Sequence, residues 1–201
     1  MTFSFVQPEA VCAFFPLWSE EVKFRRTYIT VILTTEEGEE QRSGLRSDAA
    51  YGVSFTVQTK NQAQTSYLRR RLNKYVNKVW HVPVWMYGME LTSQAVAGSS
   101  TLNVNSTLSR ELDKIGASGE YANVLLVKDY NTFESGEVLS YTDTELTLNK
   151  NLDSTWKSGA KVYPLIRATM GMVVDLTAPT PEHSMVNLSF AESFRSFSGE
   201  V

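Results

Sequence analysis

Alternating apolar and polar residues mark two segments, one in the first third of the chain and one near its end. In residues 51–58 every second side chain is apolar, and the same alternation returns at Val186, Leu188 and Phe190. Because successive side chains of a strand point to opposite faces, both segments predict strands with one buried face. A lone strand of the second segment's length cannot fold by itself. We therefore expect it to complete a sheet that the first segment begins.

Other clusters of apolar and β-branched residues predict further strands. One is expected at residues 28–35 and another at residues 80–91, where Pro83 indicates an edge position or an irregularity. The middle of the chain predicts five short strands, at residues 101–104, 122–128, 137–140, 145–148 and 161–166. Turns are expected between them at residues 116–119, 131–136, 141–144 and 149–159. Many short strands at close spacing are typical of a small barrel.

One helix is predicted, over residues 61–79, with Asn61 or Thr59 as its cap. Its apolar residues share one helical stripe, formed by Leu68, Leu72, Tyr75, Val76 and Val79. Cationic and amide side chains occupy the other faces. The stripe must therefore pack on a sheet or on another subunit.

These elements predict a mainly β fold with one packed helix and two domains. Residues 92–167 are expected to form a small inserted β-barrel domain. Residues 1–91 and 168–201 then form one discontinuous β domain, since an insertion is tolerated where its two ends lie close together.

Composition narrows the functional classes. The chain has 201 residues and a formal net charge of −3, which disfavours a dedicated duplex-DNA binder. The single cysteine, Cys12, excludes an intramolecular disulfide and a cysteine-rich zinc site. No apolar run approaches the ~20 residues that span a bilayer, and the first residues do not resemble a signal peptide. We expect synthesis in the cytoplasm and no membrane insertion.

The sequence contains no Gly-x-Ser-x-Gly motif, no glycine-rich phosphate-binding loop and no His-Glu-x-x-His motif. His81 and His183 lack metal-ligand spacing, so we expect His81 to pack near Pro83 and Trp85 and His183 to lie in a solvated loop. Cys12 lies between apolar residues and is expected to be a buried, inert thiol. We therefore expect no enzymatic activity, no catalytic residues, no cofactor and no metal.

Two charged clusters have more than one interpretation. Four glutamates surround one glycine: Glu36, Glu37, Glu39 and Glu40. This pattern fits a solvated hairpin tip, or a surface whose negative charge has a function. The basic residues 69–71, with Lys74 and Lys78, fit an exposed helix face, a salt-bridging subunit interface or a phosphate contact.

Three aromatic residues of the middle section are candidates for stacking on a sugar. Trp156, Tyr141 and Tyr163 would supply the rings, although we expect at least one of them to pack in the core.

Several segments together resemble the distal tail proteins of long-tailed bacteriophages. They are Phe15-Pro16-Leu17-Trp18, the Gly-Glu-Glu-Gln-Arg run at residues 38–42 followed by Arg46, Val82-Pro83-Val84-Trp85, and the last strand with its Phe-Ala-Glu-Ser-Phe ending at residues 190–194. The order of a strand-rich start, a helix, a tryptophan-containing strand, a small barrel and a final strand is also similar to that family.

The resemblance implies a structural virion protein without enzymatic activity. Its β-sandwich "belt" domain would form a homo-oligomeric ring, a hexamer in this family, between the tail tube protein and the tail hub protein. The inserted barrel, of the oligonucleotide/oligosaccharide-binding type, would project outward toward side fibres or host glycans. DNA would pass through the channel, and we expect some of residues 36–40 to face that channel, where carboxylates repel phosphates.

Two alternative functions are consistent with the same sequence. One is another tail ring protein, such as a tube or tube-terminating subunit, which usually lacks a separate barrel. The other is a carbohydrate-binding module.

Overall fold

The computed structural model describes residues 10–27, 30–34, 40–44, 50–76, 78–108, 110–115, 122–171, 176–177 and 183–192. The fold is mainly β, as predicted. In chain order the elements are β1 (Ala10–Val11), β2 (Lys23–Thr27), β3 (Thr30–Thr34), β4 (Glu40–Gly44), β5 (Ala50–Gln58), α1 (Gln62–Lys74), β6 (Val79–Pro83), β7 (Met89–Glu90), β8 (Thr101–Asn103), α2 (Leu112–Ile115), β9 (Asn123–Val127), β10 (Phe133–Tyr141), β11 (Glu145–Leu148), β12 (Lys161–Met170), β13 (Leu176–Thr177) and β14 (Met185–Glu192).

The two strands with the clearest alternation lie side by side. β14 pairs antiparallel with β5 from Met185 opposite Gln58 to Ala191 opposite Gly52. The apolar residues that alternate along the two strands are buried, whereas Asn187 and Ser189 on the opposite face of β14 are exposed; the buried residues are Tyr51, Val53, Phe55, Val57, Val186, Leu188 and Phe190. The expectation that the final strand completes the sheet of the first section is confirmed.

Strand β12 joins the chain's sections into one large sheet. One edge of β12 pairs with β7 and then β6, and the other edge pairs with β9 and then β14. Residues of the middle section thus continue the ladder that the two outer sections form. β12 also crosses residue 167, where we placed a domain boundary, without interruption, and the division into domains stays a prediction.

The helix is shorter than predicted. Asn61 caps its start, with its side-chain oxygen accepting from the Gln64 N–H at 2.9 Å, but the helix ends at Lys74. The Tyr75 carbonyl accepts from the Lys78 N–H and from the Trp80 indole at 3.0 Å, which turns the chain out of the helix. Leu68, Leu72 and Tyr75 are buried as expected.

Two residues predicted for the apolar stripe, Val76 and Val79, lie outside the helix. Val76 is 46% exposed, and Val79 is the first residue of β6. The prediction of a helix was therefore wrong beyond Tyr75, and so was the part of the apolar stripe placed there. The chain forms a turn at residues 75–76, where the prediction continued the helix.

Several strand boundaries also differ from the predictions. Residues 80–91 are not one strand: β6 ends at Pro83, a 3₁₀ turn covers Trp85–Tyr87, and β7 follows. Of the predicted strand at residues 28–35, the described part is β3, while β1, β2, β4, β13 and α2 were not predicted. The five middle strands are confirmed, with their ends shifted by up to four residues.

The expected turn at residues 131–136 was wrong in its second half. Gly136 lies inside β10 and pairs with Val124. A Cβ on Gly136 would lie 3.2 Å from a methyl carbon of Leu148, so glycine here permits close packing within the sheet and does not form a turn. The expected turn at residues 116–119 lies outside the described residues.

Candidate subunit-contact surfaces

Strand β2 forms one edge of the large sheet. It pairs with β5 on one side, and within the described part of the chain no strand pairs with its other side. Lys23, Arg25 and Arg26 on this edge are exposed. An unpaired edge offers backbone N–H and C=O groups to another chain, and cationic side chains restrict which partner can use it.

Side chains hold the edge strand to the rest of the fold. Phe24 stacks on Tyr51 with ring centroids 5.4 Å apart. Arg26 donates a hydrogen bond to the Tyr87 hydroxyl at 2.8 Å and forms an ion pair with Glu111. Arg26 and Glu111 are 85 residues apart, so periodicity in the sequence gave no sign of this contact.

Strands β3 and β4 form a second, separate sheet of two strands. They pair antiparallel from Thr30 opposite Gly44 to Thr34 opposite Glu40. In chain order this hairpin lies between β2 and β5, and in the described residues its strands pair only with each other. A two-stranded hairpin is at best marginally stable in water unless its side chains pack on another surface.

Three of the predicted lumen-facing acidic residues fall between β3 and β4 in the sequence, and the fourth begins β4. Glu36, Glu37 and Glu39 lie outside the described residues. Glu40 is the first residue of β4, and only its backbone is described. The expectation that these residues line a channel stays a prediction.

Helix α1 presents a cationic surface. Arg69, Arg70 and Lys74 are exposed, and Gln62–Lys74 contains no carboxylate. Arg71 is partly buried and donates to the Val11 carbonyl at 3.1 Å. Of the basic cluster expected from the sequence, three members are thus on the outer face of the helix, Arg71 supports the fold, and Lys78 is exposed beyond the end of the helix.

Two of the segments that resemble those of phage tail proteins contact each other in the structure. The ring of Phe15 lies 5.1 Å from that of Trp85, and the Leu17 N–H donates to the Thr56 carbonyl. Trp18 follows in a turn closed by the Glu20 N–H and the Leu17 carbonyl, and it is 61% exposed.

The three candidate sugar-stacking residues do not form an exposed platform. Trp156 is 6% exposed and Tyr163 is buried against Trp85, with ring centroids 4.8 Å apart. Tyr141 is partly buried beside the same core. The expectation that at least one ring packs in the core is confirmed, and two of the three rings are closed to a sugar.

The Trp156 indole instead helps to fix a loop. Glu134 accepts from the Trp156 Nε1–H at 2.5 Å with one carboxylate oxygen. Its other oxygen accepts from the backbone N–H groups of Asp153 and Ser154, at 2.7 and 3.0 Å. One carboxylate on β10 therefore satisfies three donors of the loop that precedes β12.

We expect Glu134→Gln to lower the free energy of unfolding by about 1–3 kcal/mol, because the amide group turns a donor toward one of these N–H groups. Urea denaturation measures the change. Lys128→Ala, at an exposed position, is the control and should stay within about 0.5 kcal/mol of the original protein. Equal effects of the two substitutions would contradict this role of Glu134.

The side chains considered as reactive or metal-binding groups are buried or partly buried. Cys12 is buried, and burial raises the pKa of its thiol to about 12, as expected for an inert cysteine. His81 is also buried, whereas His183 is partly buried and its ring contacts the Thr59 carbonyl at 3.1 Å. Across the described residues, no group of His, Cys, Asp and Glu is arranged to hold a metal ion.

No protein-family model matches this chain, and no curated protein matches it significantly. Within the described residues, no helix is both long and apolar enough to cross a membrane.

Proposed function

We propose that the protein is a ring-forming structural subunit of a bacteriophage tail tip, of the distal tail protein type. Identical copies form a closed ring, a hexamer in the family that the chain resembles. The ring joins the tail tube to the hub and leaves a channel through which DNA passes. The protein is then a virion component without enzymatic activity.

The observation that carries this proposal is the β3–β4 hairpin. In chain order it lies between the paired strands β2 and β5, and its strands pair only with each other in the described residues. Docking on a neighbouring copy would supply the packing surface that a two-stranded hairpin requires. A contact between the hairpin of one copy and a different surface of the next is heterologous, which is the kind of contact that closes rings.

The pairing of β5 with β14 supports the belt part of the proposal. A strand of the first section and a strand of the last section are neighbours in one sheet, as the resemblance implies for a discontinuous ring-forming domain. The middle section lies between them in sequence.

Strand pairing in the middle section supports an inserted barrel. β12, β9, β10, β11 and β8 follow one another in the sheet. Leu91, directly after β7, forms a bridge with Val104, directly after β8, and β7 pairs in turn with β12. This succession of pairs favours a sheet that closes on itself.

Removing the hairpin tests the proposal without disturbing the large sheet. Thr27 of β2 and Ala50 of β5 are directly paired, so an Asn-Gly turn can replace residues 28–49 and join the two strands. We expect the original chain to give annular particles in negative-stain images and a ring mass in light scattering. The shortened chain should be a folded monomer by both measurements and by circular dichroism. Rings formed by the shortened chain, or a purely monomeric original chain, would contradict the proposal.

A further inference from the structure

The outer face of α1 carries positive charge that the described residues do not neutralise. Arg69, Arg70 and Lys74 are exposed, and no described carboxylate forms an ion pair with them. Arg70 and Lys74 are four residues apart, where like charges on a helix repel each other. The helix would therefore be more stable with an anionic partner on this face.

Aromatic rings hold two of these cations in place. The Arg70 guanidinium lies 5.7 Å from the centre of the Tyr67 ring, and the Lys74 ammonium lies 5.0 Å from that of Tyr75. Tyr75 is buried and Tyr67 packs on Phe14 and Tyr130, so the rings are fixed by the core. Cations that rest on fixed rings lose less freedom when an anion binds.

The chain itself contains an anionic segment of matching charge. Residues 36–40 carry four glutamates around one glycine. Residues 36–39 lie in the connection between β3 and β4, and Glu40 begins β4; the strands of this hairpin pair only with each other in the described part of the chain. The net charge of −3 over the whole chain makes nucleic acid a poorer partner than an acidic protein segment.

We propose that the cationic face of α1 receives the acidic segment 36–40 of the neighbouring copy in the ring. This inference rests on the proposed function and names the two surfaces that meet. Opposite charges on two different surfaces of one subunit favour head-to-tail contact and disfavour the symmetric pairing of like surfaces. It also gives the glutamates a role at the interface between subunits in place of the channel lining expected from the resemblance.

A charge exchange between two variants of the full chain tests the contact in trans. The helix variant carries Arg69→Glu, Arg70→Glu and Lys74→Glu, and the turn variant carries Glu36→Lys, Glu37→Lys and Glu39→Lys. Each alone brings like charges together at every contact, and we expect no rings. An equal mixture restores opposite charges at every contact of an alternating ring, so rings containing both variants in equal number should appear in native mass spectrometry. The original ring should also dissociate as salt is raised.

A matched control separates this contact from a general effect of charge. Lys60→Glu, Lys128→Glu and Lys157→Glu change the net charge as much as the helix variant does, at exposed positions outside α1. Rings should form in this control.

Three results would overturn the inference. Rings from either variant alone would show that the charges do not meet. Failure of the mixture, when both variants are folded by circular dichroism, would exclude the contact between copies. Binding of a labelled oligonucleotide to the original chain at physiological salt, lost in the helix variant, would assign the face to nucleic acid. The proposed function fails separately, if the original chain forms no ring under the same conditions.

Discussion

Replacing Phe190 by alanine is expected to lower the free energy of unfolding by about 3–5 kcal/mol, the usual cost of removing a large buried aromatic side chain. Phe190 is 2% exposed, and its ring lies 6.2 Å from that of Phe55 and 5.9 Å from that of Trp80. It thus connects the last strand to β5 and to β6. Urea denaturation measures the loss.

Ser189→Ala is the control for this substitution. Ser189 is the preceding residue on the exposed face of β14, so its replacement should change the free energy of unfolding by less than about 0.5 kcal/mol. A Phe190→Ala protein as stable as the control would mean that the end of the chain contributes little to the sheet. The discontinuous domain would then lose its physical basis.

The second large effect concerns acid. His81 is 5% exposed, and burial, aided by the nearby Arg167 charge, lowers the pKa of its imidazole to about 4. An unfolded histidine has a pKa of about 6.5. Between these values the unfolded chain binds a proton that the native protein does not, so stability is complete above pH ~6.5 and falls as the pH is lowered toward 4. This histidine alone accounts for a loss of about 3 kcal/mol across that interval.

His81→Gln removes the titrating group and isolates its contribution. Unfolding free energies of both proteins are measured from pH 7.5 to pH 4, and the difference between them should change by about 3 kcal/mol across that range. Parallel curves would contradict a neutral, buried His81. In the original protein, the imidazole proton signals in NMR should keep their neutral positions down to about pH 5.

Elements that depend on local periodicity could be predicted from the sequence, whereas features that depend on particular contacts could not. Strands β5 and β14 follow from alternation, because the period of a strand reports directly which face is buried. Their pairing could also be predicted, because β14 is not stable alone and its backbone groups need another strand as hydrogen-bond partner. The end of the helix did not follow, because Val76 and Val79 continue the apolar spacing while the Trp80 indole occupies the Tyr75 carbonyl. Similarly, Gly136 favours a turn in the sequence, and only its pairing with Val124 shows that it lies within a strand.

The candidate surfaces were predicted only in part. The basic residues of α1 were recognised because they are consecutive in the sequence. The contact of Arg26 with Glu111 and that of Glu134 with the loop at Trp156 join residues distant in sequence, and no local pattern marks them. Burial of Trp156 and Tyr163 depends on how the middle strands pack, which residue type alone does not specify.

An electron cryomicroscopy reconstruction of the purified full chain would show directly whether identical copies assemble into a ring. We expect a closed ring around an open channel, in which the β3–β4 hairpin of each copy contacts the next copy. A monomer, a two-fold symmetric dimer, or a ring joined entirely through other surfaces would contradict it.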